Sequence, residues 1–164
     1  MKDAAFRVEF IQHVLANSEE NSKQCIFRRA SDDALIFQQR WWHSAFASAI
    51  DSVDDLRHIK PGDICMDLLV KAPTEMYKRH YGGKRFRVHE AIMPGTVVEF
   101  SAIVGDRVTE SNLKLLLQRV GRFIGISPFG HGLGFGNFRL LDVTVQASEA
   151  RRRKSDGRAI EDRR

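Results

Sequence analysis

Residues 121 to 140 read GRFIGISPFGHGLGFGNFRL, and this stretch decides how the rest of the chain is laid out. Glycine stands at positions 121, 125, 130, 132, 134 and 136, so six of the chain's twelve glycines fall within sixteen residues. Each glycine costs backbone entropy when ordered, so such a density is tolerated where the main chain needs positive φ values or must approach something closely. Pro128 stops a helix arriving from the N-terminal side, and FRLLDVTV, residues 138 to 145, reads as a strand. The loop therefore leaves a helix and enters a strand. That fits neither a P-loop, which needs Gly-Lys-Ser/Thr entering a helix, nor a Rossmann fingerprint, which follows a first strand. Two readings stay open: a nest of unshielded N–H groups that holds an anionic oxygen, and a device that lets helix and last strand pack closely.

Working upstream, Leu113, Leu116, Leu117, Val120 and Ile124 form the stripe of an amphipathic helix, with Thr109 or Ser111 as its cap. Before it, KRFRVHEAI and TVVEFSAIV flank Pro94-Gly95, which predicts a hairpin over residues 84 to 104. In its first arm Arg85, Arg87 and His89 share one face, while Phe86 and Val88 point inward from the other. Residues 72 to 83 read as a polar, basic and aromatic loop, and ICMDLLV, residues 64 to 70, as one short buried strand. Further back, Trp42, Phe46, Ala49, Ile50 and Val53 fall on one helical stripe. Trp42 is core by this spacing and Trp41, about 100° away, is half exposed. Phe6, Val8 and Phe10 alternate within a first strand over residues 5 to 15, which polar NSEENSKQ, residues 17 to 24, brings to an end.

The order is strand, helix, hairpin, helix, strand, with an extra strand and loop inserted before the hairpin. This is an α+β fold on the ferredoxin-like β-α-β-β-α-β plan: an antiparallel sheet with two helices on one face and the glycine-rich loop before the last strand.

A length of 164 residues suits one domain. Cys25 and Cys65 lie far apart with no Cys/His cluster near them, so neither a disulfide framework nor a zinc site is signalled. Asp32-Asp33, Asp51 and Asp54-Asp55 read as solvated loop and helix-end residues, so no metal and no cofactor are expected. The N-terminal residues are charged and no apolar run reaches the eighteen of a membrane span, which predicts a cytoplasmic protein. Residues 151 to 164 carry seven Lys/Arg against three Asp/Glu, and so hold four of the five net positive charges. The division expected is a domain over residues 1 to 148 and a basic, flexible tail over 149 to 164, which meets phosphates or merely aids solubility.

Residues 90 to 145 resemble the RAMP superfamily, the ferredoxin-like RNA-binding proteins of CRISPR complexes and CRISPR RNA processing. EAIMPGTVVEFSAIV is similar to its hairpin, LKLLLQRVGRFIGIS to its second helix, and GHGLGFGNFRL to its loop and last strand. The resemblance implies that the loop contacts an RNA backbone and that the chain is a compact subunit of a ribonucleoprotein, or a phage- or plasmid-encoded relative that imitates one. RNA and other protein subunits, or copies of the chain itself, are then its partners.

The residues expected to bind RNA are Gly130, His131, Gly132, Gly134, Gly136 and Asn137 in the loop, with Arg122 and Arg139 flanking it. Of Phe129, Phe135 and Phe138, at least one is expected in the core and Phe129 or Phe135 exposed for stacking. Lys78, Arg79, Lys84, Arg85 and Arg87 form a second basic cluster, interleaved with Tyr77, His80 and Tyr81; Arg151, Arg152, Arg153 and Lys154 begin the tail. No catalytic constellation is visible. If the chain cleaves RNA without metal, His43 or His131 is the acid or base, but neither has a partner that sequence shows. A protein-binding accessory factor is the remaining alternative.

Overall fold

The computed structural model describes residues 1–21, 23–127, 129 and 133–148. Among them lie β1 (Lys2–Phe10), β2 (Val14–Leu15), β3 (Ser18–Asn21), β4 (Gln24–Ile26), β5 (Leu35–Ile36), α1 (Gln39–Asp51), β6 (Ile64–Met66), β7 (Leu69–Val70), β8 (Glu75–Gly82), β9 (Arg85–Ile92), β10 (Val97–Val104), α2 (Glu110–Arg119) and β11 (Phe138–Ala147). The fold is α+β with mainly antiparallel sheets and two α-helices.

The first sheet runs β11-β1-β10-β6. Its central strand buries Ala4, Phe6, Val8 and Phe10, and β10 buries Val98, Phe100, Ala102 and Val104 on the same side. Because the side-chain period is two, the intervening Arg7, Glu99 and Ser101 all look out from the other side. That face is tied by surface ion pairs, Arg7 to Asp142 and Arg139 to Glu9.

Both helices cover the apolar face. Trp42 of α1 is fully buried, edge-on to Phe6 and Phe100 with ring centres 5.9 and 5.0 Å away. Gln38 makes no side-chain cap for α1, so this helix is held by its packing. In α2, Thr109 Oγ1 accepts from the Asn112 N–H at 3.2 Å, and Leu113, Leu116 and Leu117 are buried as their periodicity predicts.

The second sheet departs from expectation. Residues 75–82 are not loop: β8 pairs with β9 from Glu75↔Ala91 to Gly82↔Arg85, and the chain turns through Gly83-Lys84, with φ values of +107° at Gly82 and +58° at Gly83. Gly-Gly between alternating strands is a hairpin signal, and it outranks Pro94-Gly95 here. The hairpin expected over 84 to 104 does not exist, because β9 pairs with β2, β4 and β8 while β10 pairs with β1 and β6. Residues 64–70 break into two strands in different sheets, β6 against β10 and β7 against β5. NSEENSKQ contributes β3 and the start of β4, an edge hairpin that has no apolar face to announce it.

Two burial expectations reverse. Trp41 is 6% exposed because Phe37 lies 5.3 Å from its ring and closes that side. On β9 it is His89 that is buried and Phe86 that is 41% exposed, because burial runs without alternation from His89 to Ile92 and fades toward the hairpin tip.

Glu90 of β9, which is 6% exposed, ties that strand to the segments at Phe27, Arg29 and Thr74. Its carboxylate accepts from the Phe27 N–H at 2.8 Å, from Thr74 Oγ1 at 2.7 Å and from both arms of the Arg29 guanidinium. A buried charge needs such company.

Candidate nucleic-acid interface

Beyond Arg119 the helix widens into a π-type turn, Val120–Ile124, which the Gly125 N–H closes onto the Val120 carbonyl at 2.8 Å. The chain then runs out along Ile126 and returns along Gly136, the Ile126 N–H donating to the Gly136 carbonyl at 3.0 Å. Asn137 Nδ2 donates to the carbonyls of Gly121 at 3.0 Å and Arg122 at 3.3 Å, so its amide serves the stem rather than facing outward.

Three loop glycines have a packing reason. A β-carbon on Gly121 would lie 2.3 Å from the Phe138 carbonyl oxygen, one on Gly125 2.2 Å from that of Phe135, and one on Gly136 2.8 Å from Ile126 backbone. The Gly136 N–H is moreover donated to the His13 carbonyl at 2.7 Å, so Gly136 leaves the set of outward-facing donors in which sequence had placed it. Gly134 differs: it is exposed, its φ is +75°, and a β-carbon there would meet nothing within 4 Å. Gly130, His131 and Gly132 lie outside the described residues, as do Arg151, Arg152, Arg153 and Lys154 of the tail.

Against the loop stands the β8–β9 hairpin. The Arg79 guanidinium lies 4.3 Å from the centre of the Phe129 ring, 5.4 Å from Phe135 and 5.0 Å from Tyr81. Tyr77 packs 6.3 Å from Phe135 and 4.1 Å from His13, which brings the β1–β2 link into the same cluster. Phe129 and Phe135 are half-buried here, whereas Phe138 is core at 3% exposure. Lys78, Lys84 and Arg85 project from the exposed outer hairpin, Lys78 over the Phe86 ring at 3.8 Å; Arg87 is engaged with Glu19 at 3.1 Å.

His89 lies beneath this cluster, its ring centre 5.2 Å from that of Phe129. Its Nδ1 is 2.7 Å from the Ala16 carbonyl, which makes Nδ1 the protonated nitrogen, and Nε2 is buried without a hydrogen-bond partner among the described residues. Burial pushes its pKa down, and the charges of Arg79 and Arg87 push the same way against that hydrogen bond. Burial also lowers His13.

Arg122 and Arg139 line a separate groove of about 570 Å³, on the outside of the π-type turn. Sequence reasoning missed two of its members. Phe123 is 54% exposed and Arg119 lies 4.3 Å over its ring; Phe123 falls off the buried stripe of α2, which was the available signal. His43 is exposed on α1 without a hydrogen bond or ion pair among the described residues. No described helix is long and apolar enough to cross a membrane.

No protein-family model matches this chain, and neither does any curated protein. Among solved structures it superposes on a chain of the Type III-B Cmr-beta bound to cognate target RNA, with a TM-score of 0.62 at 11% identity, over 89% of this chain and 61% of that one. A second match, Csc2 of Thermofilum pendens, has a TM-score of 0.35 at 13% identity, over 88% of this chain and 66% of that one. The chain thus spans less than two thirds of the length of either. The first likeness is one of fold.

Proposed function

We propose that the chain is a non-catalytic RNA-binding subunit of a CRISPR-type ribonucleoprotein, a RAMP-superfamily protein with a single ferredoxin-like unit over residues 1 to 148 and a basic tail over 149 to 164. The strand order of the first sheet supports that unit: counting only its own strands it reads fourth, first, third, second, with one helix after the first and one after the third. On this reading β6 is the unit's second strand and the β8–β9 hairpin is the insertion.

The observation that carries the function is Arg79 laid over Phe129 and Phe135, which sets a basic arm beside the glycine-rich loop. Single-stranded RNA is held by cations along its backbone and by aromatic faces under its bases, and both are supplied on one surface. Gly134, with Gly130, His131 and Gly132, offers main-chain contacts; Arg79, Lys78, Lys84, Arg85 and the tail neutralise phosphate. Further subunits or copies of the chain complete the particle in the cytoplasm.

The test is purification without nuclease, followed by the ratio of absorbance at 260 to 280 nm, sequencing of retained nucleic acid, and incubation of end-labelled RNA in chelator. RNA retained and left uncut is the expected result. Discrete cleavage that vanishes in His43→Ala or His131→Ala, with binding kept, overturns the assignment in favour of a metal-independent nuclease. A preparation free of RNA that also fails to bind added RNA gives the chain to the protein-binding accessory class.

A further inference from the structure

We infer that the groove at Phe123 is a second RNA subsite, which seats one unstacked nucleobase on the Phe123 ring and the adjoining phosphate on Arg119 and Arg122; this rests on the RNA-binding reading above. Phe123 is 54% exposed on a turn whose other apolar members, Val120 and Ile124, are buried. A lone exposed ring would need no explanation, but this one belongs to a contiguous apolar patch, which marks a binding surface. Ile11, 50% exposed, and half-buried Leu140 give the groove an apolar floor.

Charge selects the occupant. Three guanidiniums, Arg119, Arg122 and Arg139, line the groove and, among the described residues, no carboxylate does. Arg139 is paired with Glu9, but Arg119 donates only to Ser52 Oγ, at 3.0 Å, and Arg122 has no carboxylate partner among the described residues. In the free protein these two guanidiniums rest 4.3 and 5.1 Å from the centre of the Phe123 ring. A single exposed cation–π contact of this kind is weaker than a base stacked on an aromatic side chain. A base therefore displaces a guanidinium from the ring, and the freed guanidinium meets the phosphate that arrives with it. An acidic peptide would satisfy the arginines but leave the ring without a flat partner. The groove and the loop cluster meet the same short segment after β1, Ile11 lining the groove and His13 lying 4.1 Å from Tyr77 in the cluster.

The test is fluorescence anisotropy of a labelled 20-nucleotide oligouridine RNA with wild type, Phe123→Ala, Phe123→Leu, Phe123→Trp and the double variant Arg119→Gln/Arg122→Gln, and in parallel a labelled dodecaglutamate peptide. Phe123→Ala and Phe123→Leu should each weaken RNA binding by about 5- to 100-fold, and Phe123→Trp should stay within about threefold of wild type. The arginine pair should flatten the slope of log affinity against log salt by about 1.4. RNA binding within twofold of wild type in Phe123→Ala removes the groove from the RNA path and leaves the loop assignment standing. Peptide binding that this variant loses, with RNA binding unmoved, gives the groove to an acidic protein segment instead. A wild-type protein that binds no oligouridine removes both readings together.

Discussion

The guanidinium carbon of Arg79 stands 4.3 Å from the centre of the Phe129 ring, so the hairpin and the glycine-rich loop form one surface although fifty residues separate them in the chain. Replacing this arginine removes a cation from that surface together with its contact to the loop's rings. Arg79→Leu should weaken RNA binding by about tenfold and flatten its salt slope by about 0.7. Arg79→Lys, which keeps the charge but not the planar stack, should keep the slope and recover part of the affinity. Salt titrations of the two variants check this, and an unchanged slope in Arg79→Leu takes the residue off the RNA.

The loop glycines divide by role, and substitution should reveal it. Gly125→Ala places a methyl group 2.2 Å from a carbonyl oxygen at a φ of +81°, and should cost about 2–4 kcal/mol of stability in denaturant unfolding. Gly134 has open space, so Gly134→Asn, which tolerates the left-handed region, should fold and unfold like wild type. Gly134→Val should remain folded by circular dichroism but bind RNA more weakly. Equal RNA affinity for all three Gly134 proteins would mean that the loop offers no backbone contact there.

Two buried groups set a common pH dependence. His89 has its pKa lowered from 6.5, chiefly by burial, so below that pH the unfolded chain takes up a proton that the folded chain refuses. For Glu90, burial alone would raise the pKa, but hydrogen bonds from Arg29, Thr74 and the Phe27 N–H hold it below 4.5. Its stabilisation is present above 4.5 and is lost as pH falls through the lower folded value. Both signs agree, and the melting temperature should fall from about pH 7 toward about pH 4, His89 acting first. His89→Phe should flatten the neutral part of that curve and leave the acid part, with His13 supplying a residual slope of the same sign. A wild-type melting temperature constant down to about pH 5 would contradict the burial of a neutral imidazole.

Deletion of residues 151 to 164 removes seven basic side chains. The salt slope on single-stranded RNA should flatten by roughly 2–4 units, the tail's acids and solvated charges accounting for the shortfall from full neutralisation. An identical slope excludes the tail from the interface.

The helices and the first sheet were legible because one face of each is buried and the other is wet. Trp42 and Phe46, or Phe6 and Val8, repeat at the period of their element, and burial follows. The second sheet was hidden for the opposite reason. Its strand β8 has no buried side chain, so Tyr77 and Arg79 alternate with Met76 and Lys78 without a hydrophobic contrast. On β9, a buried histidine and a buried glutamate occupy places where apolarity is the ordinary signal, and their partners, Ala16 and Arg29, are distant in sequence. In the candidate interface, basic residues were visible as composition. That Arg79 lies over the loop's rings while Arg87, opposite it on β9, pairs with Glu19, and that Gly136 gives its N–H to His13, depends on pairing between segments that no local pattern encodes.

The placement of β1 between β10 and β11 bears on how the protein is made. Phe10 pairs with Phe138 and Lys2 with Ala147, so one edge of the central strand waits for nearly the last of the described chain. At 5–20 residues per second, translation from position 10 to position 138 takes roughly 6–26 s, during which that edge displays unpaired backbone donors and acceptors. The loop stem is completed in the same late step, because Gly136 must reach the His13 carbonyl. The candidate interface is therefore incomplete until the sheet closes, and a chain stalled before residue 138 presents an open strand edge rather than a finished surface.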